Sequence, residues 1–177
     1  MHTNDTPGRP GRSSPTLGTG IAQAVVVAGT LDILSAFAFA AKAGMTPLAV
    51  LGYVASGPFG DRALHGTGWA LAGLAVHYGI MACMAAAYFT VARRMPELVR
   101  HPIVAGLGYG VLLWIVMYFV VKPLRWPDAP LPHTAYGIGN ALFSHCLLVG
   151  LPIALLAARA VRTYEANPTP PSGSAPS

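Results

Sequence analysis

The 177-residue chain is 54% hydrophobic and only 10% charged, whereas about a quarter of the residues in a soluble domain are charged. This composition argues against a soluble fold and predicts one small membrane domain. The net charge of +5 is spread between the apolar segments, a pattern that fits membrane topology and anionic lipid headgroups rather than nucleic acid.

Four apolar segments are long enough to cross a bilayer. They cover residues 20–42, 68–92, 102–121 and 136–160, each near the roughly 20 apolar residues that a hydrocarbon core requires. All four are predicted to be helices, because an open sheet cannot satisfy its backbone hydrogen bonds in lipid. The expected fold is therefore an all-α polytopic membrane protein with four transmembrane helices.

The two ends of the chain differ from this apolar middle. Residues 1–18 and 165–177 are rich in Pro, Gly, Ser and Thr, so both are predicted to be disordered tails around a transmembrane domain at 19–164. The first apolar segment could instead be a secretory signal. Asp32 would interrupt the apolar core of such a signal, and the run continues past its usual length, so a retained helix is expected.

The connection after the first span is predicted to contain a short fifth helix. Thr46 and Pro47 form an N-cap followed by proline, the run LAVLGYVAS is apolar, and Gly57-Pro58 is expected to end the helix. A helix of about ten residues cannot span the hydrocarbon core, so we expect it to be interfacial or re-entrant.

The other two connections are predicted from their length and their prolines. KPLRWPDAPLPH contains four prolines and should be an extended loop. RRMPELVRHP is short, so the second and third spans should be antiparallel neighbours. On the third span, the pair Gly106-x-x-x-Gly110 indicates either a helix contact inside the bundle or an oligomer face.

Basic residues predict the orientation of the chain. Seven flank one side of the spans (Arg9, Arg12, Arg93, Arg94, Arg100, Arg159 and Arg162) and four flank the other (Lys42, Arg62, Lys122 and Arg125). This excess places both termini in the cytoplasm. Four aromatic residues near the opposite face are expected to form an interfacial belt there: Tyr53, Trp69, Trp126 and Tyr136.

Three ionisable residues, Asp32, His77 and His145, each lie within a different span. A charged group near the bilayer centre costs at least ~2.5 kcal/mol, so such residues usually face the bundle interior, pair with one another or mark an ion path. At about 1.5 Å per residue, all three lie ~12 to ~15 Å inward when counted from the same membrane face, that of Lys42, Trp69 and Tyr136. We therefore expect a polar cluster at one depth, supported by Tyr78, Tyr109, Asn140 and Ser144.

Two interpretations of this cluster involve no cofactor. In the structural one, Asp32 accepts a hydrogen bond from one imidazole, the other imidazole meets a supporting polar group, and the network fixes helix register. In the second, the cluster is a proton-coupled path, because imidazole titrates near neutral pH and can exchange its charge with a carboxylate. No catalytic residues are predicted, since the chain has no phosphate loop, nucleophile elbow or catalytic carboxylate pair.

A third interpretation is a metal or haem carrier. His77 and His145 could be the two axial ligands of a haem b in a four-helix bundle, and Met81 beside His77 could attract copper. No CxxCH, HExxH or repeated Cys/His spacing supports this interpretation, and Met at helical spacing is more often a packing residue. Whether a cofactor is bound stays open at this point.

A resemblance to a known group rests on the order of the helices and on the segments GTLDIL, TPLAVLGYVASG and HPIVAGLGYG. On these features, residues 20–160 resemble small four-helix inner-membrane proteins of bacteria of the YagU type. The resemblance implies location and topology but no chemistry.

The leading expectation for function is a small transport or ligand-binding module, with a haem or metal carrier and a structural partner subunit as alternatives. Four short helices scarcely enclose a path for a large cargo, so transport would need an oligomer or be limited to protons or small ions. Expected partners are membrane lipid and either a second copy of the chain or another membrane protein.

Overall fold

The structure is a computed structural model that describes residues 17–131 and 133–166, and within these ranges it contains helices and no strand. In chain order the helices are α1 (Leu17–Ala41), α2 (Pro47–Phe59), α3 (Thr67–Ala92), α4 (Pro96–Arg100), α5 (Pro102–Arg125) and α6 (Ala135–Ala166). Helices α1, α3, α5 and α6 are each long and apolar enough to cross a membrane. The predicted all-α, four-span membrane fold with a shorter helix between the first two spans is confirmed.

The helix ends differ from the predicted spans in a few places. Helix α1 begins at Leu17 and α6 continues to Ala166, so each extends two residues into its predicted tail. The remainder of the tails lies outside the described residues. Helix α5 continues through KPLR to Arg125, so the prediction of an extended loop from residue 122 was wrong. The loop starts only at Trp126.

Two π-helical segments explain why α5 and α6 continue past prolines. Met117–Val121 in α5 and Phe143–Gly150 in α6 have the wider π hydrogen-bonding pattern. Each segment ends two residues before a proline, Pro123 or Pro152. A proline has no N–H and its ring clashes with the preceding turn, and a local π adjustment is one way in which a membrane helix re-satisfies its backbone.

Helix α2 begins as predicted and ends later than predicted. The Thr46 hydroxyl accepts a hydrogen bond from the Ala49 N–H at 3.2 Å, and proline follows in the first turn. The helix passes through Gly57-Pro58 and ends at Phe59. Its last carbonyls are satisfied by Arg125 of α5, whose Nε lies 2.8 Å from the Ser56 oxygen and 3.0 Å from the Gly57 oxygen. A cation at the carbonyl end of a helix is also favoured by the helix dipole.

Close packing holds α2 against α3. A Cβ atom at Gly73 of α3 would stand only 2.0 Å from the Leu51 carbonyl oxygen of α2, so glycine alone permits this approach. Val50 and Leu51 are buried together with Ile33 of α1 in a small apolar core beneath α2. Helix α2 therefore covers one end of the bundle, called here the α2 end.

Helix α6 forms the centre of the bundle and contacts α1, α3 and α5. Its residues Ile153, Ala154 and Ala157 have no exposed surface. The glycine pair of α5 packs on it: a Cβ at Gly106 would lie 2.9 Å from the Leu151 Cα, and one at Gly110 would lie 2.4 Å from the Cys146 Cα. Of the two predicted roles for the GxxxG pair, the structure shows the contact within the bundle.

Helices α3 and α5 are joined by tyrosine side chains but are separated by a groove. The Tyr109 hydroxyl donates to the Met84 carbonyl oxygen at 2.8 Å, and the Tyr88 and Tyr109 rings lie 4.9 Å apart. A groove of about 530 Å³ runs beside these rings. The two spans predicted to be antiparallel neighbours therefore contact each other through these tyrosines, while α5 packs mainly on α6.

Candidate functional site

A cavity of about 250 Å³ lies between α1, α2, α3, α5 and α6, and Asp32, His77 and His145 all line it. We call it the polar cavity. The three residues come from α1, α3 and α6, so three of the four spans contribute an ionisable side chain to one cavity. Most of the remaining wall is apolar and includes Met81, Met84, Met117, Val121, Ile80 and Val149.

A second hollow of about 330 Å³ adjoins the polar cavity and adds Tyr118 and Lys122 to its lining. We call it the vestibule. The two hollows share Tyr53, Met117, Val121, Trp126 and His145. Trp126 and Tyr53 stack with ring centroids 4.6 Å apart and an angle of 13° between the rings. The shared residues show that the vestibule borders the polar cavity.

His77 is fixed by a main-chain carbonyl group of α1. Its Nε2 lies 2.8 Å from the Gly29 oxygen, and the residue is 6% exposed. A carbonyl oxygen only accepts hydrogen bonds, so Nε2 carries the proton and donates. In the neutral ring, Nδ1 is then the basic nitrogen.

His145 is fixed in the opposite sense, within the π-helical part of α6. Its Nδ1 lies 2.8 Å from the Ala141 oxygen, so Nδ1 donates and Nε2 is the basic nitrogen of the neutral ring. The ring meets Tyr118 edge-on at 6.0 Å. Both imidazoles of the polar cavity are therefore held in defined tautomers by the backbone.

Asp32 has no direct partner in the described part of the chain. It takes part in none of the hydrogen bonds there and in none of the ion pairs within 4.0 Å. It interacts electrostatically with His145 and His77 across the cavity and with Tyr118 of α5. The expectation that Asp32 accepts a hydrogen bond from an imidazole was wrong, because carbonyl oxygens of α1 and α6 lie closer to the ring N–H groups.

The predicted supporting groups bond elsewhere. Tyr78 shares a hydrogen bond with Thr30 at 2.8 Å, and Ser144 shares one with Ser35 at 3.2 Å. Asn140 Oδ1 is buried without a hydrogen-bond partner among the described residues. Tyr78, Ser144 and Tyr109 thus form hydrogen bonds between helices, and Asn140 Oδ1 forms none among the described residues. None of the four is hydrogen-bonded to Asp32 or to an imidazole in the described ranges.

Sequence reasoning missed the aromatic part of the site. Tyr53 and Trp126 were expected in an interfacial belt, yet they stack at the junction of the vestibule and the polar cavity. Burial raises the pKa of Tyr53 above its usual 10.0, so its hydroxyl stays neutral at physiological pH. Tyr118 was not predicted at all. The signal that points to it is the proline at 123, because that proline accompanies the π segment in which Tyr118 lies.

The donor set gives limited support to a metal site. Within residues 17–131 and 133–166, no group of three His, Cys, Asp or Glu side chains is arranged to hold a metal ion. Met81 lines the polar cavity near His77, as the copper hypothesis requires. A cavity of about 250 Å³ is smaller than the ~300–1,000 Å³ of clefts that hold drug-sized ligands, so its volume gives no support to the haem interpretation.

Comparisons with protein-family models, with curated proteins and with solved structures find no match for this chain. The resemblance to four-helix inner-membrane proteins of the YagU type therefore stays a prediction. The geometry of the polar cavity alone carries the functional argument.

Proposed function

We propose that the chain is a small transport or ligand-binding module of the bacterial inner membrane, with the polar cavity as its binding site. The observation that supports this proposal is that Asp32, His77 and His145 line one cavity, which the vestibule borders. A carboxylate removed from water without a hydrogen-bond donor is costly unless a positive charge or a proton joins it. Asp32 therefore requires a cation or a proton as its partner.

The two imidazoles supply the proton chemistry of the proposed function. Each keeps one N–H on a carbonyl group and turns a basic nitrogen to other partners. A proton on either ring places a positive charge beside the Asp32 carboxylate, with which both rings interact electrostatically. Proton binding and the charge of Asp32 are therefore coupled.

A structural role is the second candidate, and one observation favours it. The bond from His77 Nε2 to the Gly29 oxygen joins α3 to α1, as expected of a residue that fixes helix packing. Interhelical bonds of this kind contribute ~0.6 kcal/mol on average. The same argument does not extend to Asp32, which forms no such bond in the described residues.

Asp32→Asn is expected to abolish proton flux. In proteoliposomes with a trapped pH-sensitive dye, the wild-type protein should dissipate an imposed pH gradient, and the variant should match empty liposomes because an amide cannot carry the charge. The matched control is Asp128→Asn, which removes an exposed carboxylate from the loop between α5 and α6 and should leave flux unchanged. Equal flux in the wild-type and Asp32→Asn proteins would overturn the proposal, and no flux in either would favour the structural role.

The proposed orientation places both termini in the cytoplasm. Basic residues gather at the two ends of the bundle: Arg162 donates to the Val99 carbonyl at one end, and Arg125 pairs with Asp61 at the α2 end. Since the Arg excess lies at the first of these ends, reporter fusions at residues 96 and 170 should report cytoplasm, and fusions at 60 and 128 should report the outside. An odd number of crossings between residues 10 and 170 is incompatible with this arrangement.

A further inference from the structure

We propose that the polar cavity binds a small organic ammonium ion, with the charged nitrogen beside Asp32 and the apolar part against the methionine and aromatic wall. This inference rests on the proposed function and names its ligand class. Three features of the cavity support it, namely its charge, its wall and its size.

The charge of the cavity favours a cation. Of the described residues that line it, Asp32 carries the one carboxylate, and each of the two imidazoles holds one N–H on a main-chain carbonyl oxygen, that of Gly29 or Ala141. The cations near the vestibule are already engaged: Lys122 donates to the Pro130 oxygen at 2.7 Å, and Arg125 donates to the end of α2. The described lining of the polar cavity itself contains no Lys or Arg, so an anion there would face the Asp32 carboxylate without a cationic partner.

The wall favours an organic cation over a metal ion. Ca²⁺ and Mg²⁺ require six or more oxygen ligands, and one carboxylate in an apolar cavity does not provide them. Met81, Met84 and Met117 form a flexible, polarizable surface that adapts to an apolar ligand. Trp126 and Tyr53 line the cavity as a stacked pair, and Trp126 already contacts one cation, the Arg125 guanidinium 5.2 Å from its ring centroid, through a cation–π interaction.

The size of the cavity limits the ligand. A volume of about 250 Å³ lies below the range for drug-sized molecules, so the bound ion has on the order of ten non-hydrogen atoms. The adjoining vestibule is lined in addition by Tyr118 and Lys122.

Protons should compete with the organic cation. The titratable groups that face Asp32 are His77 on α3, His145 on α6 and Tyr118 on α5, with Tyr53 of α2 on the cavity wall. Protonation of Asp32 or of an imidazole would remove the net negative charge that holds the ammonium. The proton and the cation are thus alternative occupants, as coupled exchange requires.

Equilibrium dialysis of the full chain in a non-ionic detergent tests this inference. The probes are radiolabelled benzyltrimethylammonium and, as the anionic counterpart of similar size, phenylacetate. We expect saturable binding of the cation, no binding of the anion, and a loss of affinity of at least about tenfold when the pH falls from about 8 to about 5. Asp32→Asn should weaken binding by at least about tenfold, the size expected for loss of a charged partner, and Asp128→Asn should leave it unchanged.

Several outcomes would overturn the inference. Preferential binding of phenylacetate, absence of saturable cation binding, or equal cation affinity in the wild-type and Asp32→Asn proteins would each do so. Should Asp32→Asn not fold, the choice between cation and anion and the pH response of the wild-type protein still decide the question. Proton flux that depends on Asp32 without cation binding would refute this inference and leave the proposed function standing, whereas the absence of both would refute both.

Discussion

Gly110→Ala is expected to destabilise the bundle by about 1–3 kcal/mol, the usual range for an overpacked interior. The added Cβ would lie 2.4 Å from the Cys146 Cα and 2.4 Å from the His145 oxygen. Both are backbone atoms, so no side-chain rotation can relieve the clash, and α5 must move away from α6. Because His145 lies at the contact, the polar cavity should be disturbed as well.

Gly108→Ala is the matched control for this prediction. Gly108 lies on the same helix two residues earlier, and a Cβ there would meet nothing within 4 Å. Thermal unfolding in detergent, followed by circular dichroism, should show a lower midpoint for Gly110→Ala and a wild-type or slightly higher midpoint for Gly108→Ala, since alanine favours a helix. Equal midpoints for the two variants would show that α5 does not pack on α6 through Gly110.

Gly73→Ala is expected to displace α2 from the bundle and open the polar cavity. A Cβ at Gly73 would stand 2.0 Å from the Leu51 carbonyl oxygen and 2.7 Å from its carbonyl carbon. The α2 backbone must therefore shift, and a loss of about 1.4 kcal/mol in local stability raises amide exchange about tenfold. Hydrogen–deuterium exchange over residues 47–59 measures this effect.

Gly79→Ala provides the control on the same helix. Gly79 has nothing within 4 Å of the position that a Cβ would occupy, so exchange in α2 should stay at the wild-type rate. Faster exchange in Gly73→Ala throughout the protein would indicate global destabilisation, whereas a change confined to α2 supports the expected displacement. Unchanged exchange in α2 would contradict the close contact between Gly73 and Leu51.

The spans and the start of α2 were predictable because the physics that sets them is local. A hydrocarbon core demands a helical run of about 20 apolar residues, and each of the four runs formed one long helix. Thr46 and Pro47 form a cap that needs only the residues next to it. Pro58 and Pro123 misled the prediction, because both helices continue past their prolines where contacts with other helices or a π segment compensate.

The candidate site was predictable only in part. Asp32, His77 and His145 were found because ionisable side chains are costly in lipid and so turn inward. Their partners were not found, because a bond from His77 to the Gly29 oxygen depends on how closely α3 approaches α1. Likewise, the stacking of Tyr53 on Trp126 accompanies the hydrogen bond from Arg125 of α5 to the end of α2. These two helices are far apart in sequence, so the sequence alone does not predict the contact.

The carbonyl anchors of the two imidazoles bear on how quickly the polar cavity can change its protonation state. The bonds from His77 to Gly29 and from His145 to Ala141 use one ring nitrogen each and persist whether or not the other nitrogen is protonated. Neither ring has to rotate to take up or release a proton. The reorganisation that accompanies each titration step is therefore small, and the rate should be set by how often water reaches the free nitrogens, a quantity that solvent-exchange line broadening of the imidazole resonances would report.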